Sequence, residues 1–139
     1  MGVSERWLID KSAYARLGVS DDADVWLRRI ERGLVGAATV TVLELGYSAR
    51  SGEDWHTITA MPPVSMLIPE PMTPGIEKRA VAVQGLLAGR GHHRAVKVPD
   101  FMIAAVAELK GYTVLHVDKD FELIADATGQ RVERLRGDF

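Results

Sequence analysis

One stretch, residues 99–121 (PDFMIAAVAELKGYTVLHVDKDF), constrains the fold of this chain more than any other. Residues 102–107 are an unbroken apolar run, which predicts a helix with little polar face and hence a buried one. Gly111 follows at the point where a helix end favours a residue that tolerates positive φ. Residues 113–117 are short and rich in β-branched side chains, as is typical of a strand buried on both faces. The stretch therefore predicts a buried helix, a turn and a buried strand.

The rest of the chain alternates between strand-like and helix-like segments. Strands are predicted at residues 6–9, 37–40, 64–68 and 131–135. Helices are predicted at about residues 11–18, 22–32, 41–49, 74–89 and 121–127. Such alternation indicates an α/β fold with a mainly parallel sheet and helices on both faces.

Length and composition restrict the class of protein. The 139 residues suit a single domain that spans the whole chain. The net charge of -2 gives no global attraction for nucleic acid, and without cysteine there is no disulfide framework or thiolate metal site. No apolar run approaches the ~20 residues of a membrane span, and the N-terminal stretch lacks a signal-peptide pattern. We therefore expect a cytoplasmic protein without a membrane partner.

Four acidic residues occupy corresponding positions in these predicted elements. Asp10 and Asp118 each follow a strand, and Glu44 and Asp100 each lie near a helix start. In a parallel α/β fold these positions share one edge of the sheet. Two carboxylates about 5 Å apart repel each other by roughly 3 kcal/mol at an effective dielectric constant near 20. Convergence therefore requires protons or a cation, and all-oxygen ligands favour a hard ion such as Mg²⁺ or Mn²⁺.

Most of these acids also have a purely structural explanation. Glu44 completes a capping-box pattern with a threonine three residues earlier. Asp100 suits the first turn of a helix, and one of Asp118 and Asp120 is expected to cap the helix that follows. Asp10 has no evident structural task, since it simply ends a hydrophobic strand. The joint placement of the acids is thus a stronger indication than any single residue.

Three motifs carry a resemblance to a known family. They are LIDKSA (8–13), VTVLELGYSAR (40–50) and VPDFMIAAVAELKGYTVLHVDKDFELIA (98–125). In this order and spacing the chain resembles the PIN-domain ribonucleases, specifically the VapC-type toxins of bacterial toxin–antitoxin pairs. The resemblance covers nearly the whole chain. It implies a single three-layer α/β/α domain with a central, mainly parallel sheet.

The resemblance also implies an activity, a cofactor and partners. The activity is that of an endoribonuclease that requires Mg²⁺ or Mn²⁺. Carried over by motif, Asp10, Glu44, Asp100 and Asp118 would be the catalytic, metal-binding acids, and Asp120 an accessory metal ligand. The family further implies a homodimer and a small cognate VapB-like antitoxin that inserts a segment near the acidic pocket.

The RNA contacts are predicted from position and charge. Ser12 matches the family's hydroxyl position and is expected to bond a carboxylate or the scissile phosphate. Arg94 and Lys97 belong to a basic stretch just before the third acid, where they are expected to hold RNA phosphates. The alternative for that stretch is a solvated surface loop. His116 lies among apolar neighbours, which favours a hydrogen-bonded core histidine over a catalytic base.

Two other functions are compatible with parts of the pattern. A phosphoacceptor signalling domain also places acids at strand ends, but it needs an acid pair after the first strand and an Asp after a middle strand. Only Asp10 follows the first predicted strand, and Thr41 follows the second. A catalytically silent PIN-like domain that only binds RNA or a partner is the other alternative, and the full set of acids argues against it.

Overall fold

The computed structural model describes residues 5–139; residues 1–4, which begin the stretch expected to lack a signal peptide, lie outside the described residues. Residues 5–139 form five strands and seven α-helices. The strands are β1 (Trp7–Ile9), β2 (Val35–Ala38), β3 (Ile68–Glu70), β4 (Thr113–His116) and β5 (Val132–Arg134). The helices are α1 (Lys11–Tyr14), α2 (Ala23–Glu31), α3 (Thr39–Tyr47), α4 (Gly52–Ala60), α5 (Pro74–Gly89), α6 (Val98–Lys110) and α7 (Lys119–Thr128). In this part of the chain no helix is long and apolar enough to cross a lipid bilayer.

The five strands form one sheet in the order β3-β2-β1-β4-β5. Every pair between neighbouring strands is parallel. The chain therefore starts at the centre of the sheet, builds one half outward from β1, and then returns to β1 with β4. Because β1 and β4 are adjacent and parallel, the segments that follow them lie side by side at the carboxyl edge.

Helices cover both faces of this sheet, which confirms the predicted three-layer α/β/α architecture. Leu8 faces a core layer built with α5, α6 and α7. Its neighbours Trp7 and Ile9 face the opposite layer, which contains Trp26 and Ile30 of α2. All three residues of β1 are buried, as expected for a central strand with both faces covered.

The unit formed by α6 and β4 matches the sequence prediction closely. Residues 103–107 of α6 are all buried, so nearly the whole circumference of that segment is packed. The helix ends at Gly111, whose φ of 78° lies in the left-handed region. β4 begins two residues later and is buried along its length. The prediction of a buried helix, a turn and a buried strand is confirmed.

The helix predicted at residues 11–18 is shorter, Lys11–Tyr14, and is followed by a 3₁₀ turn at Leu17–Val19. Two strand predictions were also wrong in their boundaries. The second strand is Val35–Ala38 and not residues 37–40, because the sheet pairing with β3 ends at Ala38. As a result α3 starts at Thr39, two residues before the predicted capping box. The predicted strand at residues 64–68 is a short 3₁₀ turn, Val64–Met66, followed by β3. In each case β-branched residues favoured a strand locally, and pairing in the sheet decided otherwise.

Gly36 should be intolerant of any side chain, because a Cβ atom there would lie 2.9 Å from the Ile68 carbonyl oxygen and 3.1 Å from the Tyr112 hydroxyl. We predict that Gly36→Ala lowers the Tm by roughly 3–10 °C, as overpacking of a close strand pair does. Thermal unfolding followed by circular dichroism measures the change. Gly85→Ala is the matched control, since its Cβ would meet nothing within 4 Å in the middle of α5. An equal or higher Tm for Gly36→Ala would contradict the packing of β2 on β3.

Candidate metal centre

The predicted acids meet at the carboxyl edge of the sheet. Asp10 directly follows β1 and is the N-cap residue of α1, and Asp118 follows β4 and caps α7. Asp100 lies in the first turn of α6, and Glu44 projects from the middle of α3. These four acids line one open pocket of about 320 Å³. Residues from four separate segments of the chain therefore converge, as the sequence predicted.

Three of the acids approach one another most closely. One carboxylate oxygen from each of Asp100, Asp118 and Asp120 lies within 4.8 Å of the other two. Asp10 and Glu44 line the same pocket but do not belong to this tight group. The structure thus brings all five predicted metal ligands close together, and Asp100, Asp118 and Asp120 form the tightest group.

The residues present fit a hard divalent ion. The Oδ2 atom of Asp100 and the Oε1 atom of Glu44 are buried, and neither has a hydrogen-bond partner among the described residues. A buried polar atom without a partner is costly, so carboxylate oxygens of this kind at a pocket wall are suited to coordinate a cation. The donor set consists entirely of carboxylate oxygens, the type that hard divalent ions prefer. We conclude that this acidic cluster is suited to bind a divalent metal.

The environment of the pocket raises the pKa of some carboxyl groups and lowers the pKa of another. Burial, a hydrogen bond shared with Asp120 and the negative charge of Asp10 raise the pKa of Asp100 to about 8. Burial and then the charge of Asp10 also raise the pKa of Glu44. Burial acts in the same sense on Asp120, but hydrogen bonds from the Lys97 side chain and backbone outweigh it and lower that pKa. Such divergent shifts within one pocket are typical of functional sites.

Ser12 holds the first acid in place. Its hydroxyl donates to Asp10 Oδ2 at 2.6 Å, and its backbone N–H donates to the same oxygen at 3.1 Å. The hydroxyl oxygen also accepts a hydrogen bond from the backbone N–H of Val117 at 2.9 Å. Ser12 therefore connects the end of β1 to the segment after β4 and fixes the orientation of the Asp10 carboxylate. Of the two roles predicted for Ser12, the structure displays the bond to a carboxylate.

His116 is a buried core residue that contacts the backbone of Asp118. It is 1% exposed, and burial lowers its pKa. Its Nδ1 atom accepts a hydrogen bond from the Asp118 backbone N–H at 3.1 Å, while Nε2 lies 3.1 Å from Glu122 Oε1 without good hydrogen-bond geometry. The expected core histidine is confirmed, and its contact with the backbone of Asp118 helps to position that acid.

The basic residues divide into two groups. Lys97 points into the pocket, with Nζ 2.8 Å from both Asp118 Oδ2 and Asp120 Oδ2. Arg94 is exposed on the loop before α6 and does not line the acidic pocket. Arg16 does line the pocket, although the sequence did not single it out; its position six residues after the first acid, across a one-turn helix, was the available signal.

The capping-box explanation for Glu44 was wrong. α3 begins at Thr39 with Ala38 as its N-cap residue, so Thr41 lies inside the first turn and does not cap the helix. The Thr41 side chain is fully buried, and its hydroxyl has no hydrogen-bond partner among the described residues. Glu44 is consequently free of the capping role and faces the pocket instead.

The chain is similar to known proteins over most of its length. The PIN-domain family model matches residues 8–127 of the chain. The chain is 57% identical to Ribonuclease VapC2 of Mycobacterium tuberculosis over 131 residues, which cover 94% of this chain and 93% of that protein. It is 42% identical to Ribonuclease VapC21 of the same organism, with 94% of each chain covered.

Solved structures share the fold at low sequence identity. A chain in the crystal structure of DNA-bound VapBC from Salmonella typhimurium matches with a TM-score of 0.76 and 18% identity, covering 94% of this chain and 98% of that one. A chain of VapBC-5, a member of the VapBC family of toxin-antitoxin systems from Mycobacterium tuberculosis, matches with a TM-score of 0.66 and 23% identity, covering 96% and 99%. At these identities the likeness supports the fold.

Removing one buried acid should stabilise the protein when metal is absent. Asp100 is 2% exposed, and Asp118 and Asp120 lie beside it, so folding forces this carboxyl group either to carry a desolvated, repelled charge or to keep a proton that it loses in the unfolded chain. We predict that Asp100→Asn raises the Tm by about 2–5 °C in the presence of a chelator. Added Mn²⁺ should raise the Tm of the original protein more than that of the variant. A lower Tm for Asp100→Asn in chelator would contradict the proposed repulsion.

Proposed function

Because the chain belongs to the PIN-domain family, and within it to the VapC ribonucleases, we propose that it is a metal-dependent endoribonuclease toxin. In this proposal it hydrolyses phosphodiester bonds in RNA with Mg²⁺ or Mn²⁺ as cofactor, and a cognate VapB-like antitoxin inhibits it. The observation that carries the proposal is the convergence of Asp100, Asp118 and Asp120 oxygens within 4.8 Å, beside the pocket that Asp100 and Asp118 share with Asp10 and Glu44.

The acids have distinct tasks in this proposal. Asp10, Glu44, Asp100 and Asp118 would hold the ion, with Asp120 as an accessory ligand. When bound, a divalent ion supplies Lewis acidity, which promotes the ionisation of water and offsets the negative charge of a phosphodiester under attack. Asp100 and Glu44 each have a buried oxygen without a hydrogen-bond partner in residues 5–139, which supports direct roles for these two acids.

The chain's own hydrogen bonds keep the ligands in position. Ser12 restrains one oxygen of Asp10 through two hydrogen bonds. Asp118 Oδ1 accepts from the Asp120 backbone N–H at 3.0 Å, and the Asp118 backbone N–H donates to His116. Because these hydrogen bonds already hold the carboxylates in position, binding of the ion and of the substrate requires little further ordering of the site.

Substrate binding is proposed to use the basic groups around the pocket. Lys97 has an exposed side chain at the pocket, and Arg94 is exposed three residues earlier. Lys11 and Arg16 also line the pocket, so the acidic centre has a partly basic rim. This charge pattern supports phosphate contacts that orient RNA without reading its bases. The overall charge of -2 means that the attraction for RNA is local.

The partner and the assembly are proposed from the family. The VapBC names of the structural neighbours support a VapB-like antitoxin, and the open pocket suits a segment inserted near the acids. We also propose a homodimer and a cytoplasmic location, as expected for the family. Light scattering on the purified chain measures the oligomeric state directly.

The phosphoacceptor alternative receives no support. The first strand is followed by one acid, Asp10, and β2 passes directly into Thr39 without an aspartate. A silent PIN-like domain is separated from a nuclease by the cleavage experiment that follows.

We predict RNA cleavage that requires Mg²⁺ or Mn²⁺ and that is lost in Asp10→Asn or Asp100→Asn. Loss of an ion ligand should lower the rate by more than about 100-fold, beyond the ~10–100-fold typical of residues that only support ligands. The measurement is cleavage of total RNA, resolved by gel electrophoresis, with and without chelator. Asp126→Asn, which neutralises an exposed acid on α7, is the control and should keep full activity. Metal-independent cleavage, or full activity in either site variant, would overturn the proposal.

Inhibition by the antitoxin is a separate prediction. A small protein encoded beside this chain should bind it and abolish cleavage at about equimolar concentration. Because its inserted segment is expected near the acids, pre-bound antitoxin should also reduce Mn²⁺ binding measured by calorimetry. A tight complex that retains full cleavage activity would show that the partner acts elsewhere.

A further inference from the structure

The ammonium group of Lys97 lies among the carboxylates that form the centre of the candidate metal site. Nζ is 2.8 Å from Asp118 Oδ2, 2.8 Å from Asp120 Oδ2 and 3.5 Å from Asp100 Oδ2. These are the three acids whose oxygens come within 4.8 Å of one another. A cation of the protein itself therefore stands beside the oxygens that a divalent ion would use.

The backbone holds Lys97 at this location. Lys97 is the N-cap residue of α6, the helix that carries Asp100 in its first turn. Its backbone N–H donates to Asp120 Oδ2 at 3.0 Å, so the residue is attached to the acidic cluster independently of its side chain. The preceding residue, Val96, is buried and anchors the chain there. By contrast, the Lys97 side chain is 61% exposed, so its ammonium group borders solvent.

The other basic side chains of the pocket have different partners. Lys11 Nζ donates to Ser48 Oγ at 3.1 Å, and Arg16 donates to the backbone oxygen of Ser12 at 2.8 Å. Among the described residues that line the pocket, Lys97 is therefore the one whose cationic group forms ion pairs with the acids. Of these three basic residues, Lys97 alone offsets the negative charge of the acidic cluster by direct ion pairs.

From this geometry we infer that Lys97 is a built-in competitor of the divalent ion, and that ion binding displaces its ammonium from Asp118 and Asp120. The inference rests on the metal site of the proposed function. One ammonium offsets a single charge and leaves Asp100 Oδ2 without a hydrogen bond, whereas a divalent ion offsets two charges. Two cations at the same oxygens repel each other, so occupancy by one opposes occupancy by the other.

Displacement has two consequences. Lys97 stabilises the acidic cluster before metal arrives, because it offsets part of the repulsion among three neighbouring carboxylates. It also weakens the apparent affinity for the ion, so that the site fills at a higher ion concentration than its ligands alone would require. Once displaced, the exposed ammonium is available for the phosphate contact predicted for this residue from the sequence.

The test is Mn²⁺ binding by the purified full-length chain without RNA. Lys97→Gln should bind Mn²⁺ about tenfold more tightly than the original protein in calorimetric titration. In chelator its Tm should be lower, and the increase in Tm upon adding Mn²⁺ should be larger. Lys78→Gln, which removes the same charge from an exposed position on α5, is the matched control and should bind Mn²⁺ as the original protein does.

A second variant keeps the test decisive if Lys97→Gln does not fold. Lys97→Arg retains the positive charge and introduces a planar guanidinium group that can donate two hydrogen bonds to a carboxylate. This variant should therefore bind Mn²⁺ as tightly as the original protein or more weakly. Unchanged or weaker binding by Lys97→Gln, or tighter binding by Lys97→Arg, would overturn the inference while leaving the metal site intact. Absence of Mn²⁺ binding in the original protein and in Lys97→Gln would overturn the metal site and the inference together.

Discussion

Repulsion among carboxylates at one edge of the sheet is the interaction on which the rest of this structure depends. Parallel pairing of β1 with β4 brings the segments after the two strands together, and those segments carry Asp10 and Asp118. The start of α6 adds Asp100, which is almost completely buried. Negative charge that is concentrated and desolvated in this way lowers stability unless other groups offset it. The surrounding residues are arranged to supply that compensation.

Hydrogen bonds and ion pairs from neighbouring residues offset the negative charge of these acids. Ser12 donates two hydrogen bonds to Asp10, and Lys97 forms ion pairs with Asp118 and Asp120. His116 accepts from the backbone next to one of these acids and stays buried in the core. These contacts tie the site to β1 and β4, whose residues are all buried, and to α6, whose residues 103–107 are buried. A site built on rigid elements keeps its ligands close together despite their repulsion, which is what metal-assisted chemistry requires.

Much of the fold was predictable because its strongest signals are local. The apolar run in α6, Gly111 and the β-branched strand after it define a helix, a turn and a strand without reference to the rest of the chain. The boundaries near residues 35–41 were not predictable in the same way. There, valines and threonines favour a strand, but pairing of β2 with β3 ends at Ala38 and the chain turns into α3. Because of this earlier helix start, Thr41 does not form the predicted capping box with Glu44, and the Glu44 side chain lines the pocket instead.

The sequence by itself determined the alternation of strands and helices and the positions of Asp10, Asp100 and Asp118 at a strand end or a helix start. These properties depend on residues within a few positions of one another. Only the tertiary structure decided which oxygens approach most closely and where the Lys97 ammonium points. Lys97 and Asp118 are 21 residues apart, and their contact depends on how α6 packs beside the end of β4. Side-chain convergence of this kind is set by sheet register and helix packing, which no local pattern encodes.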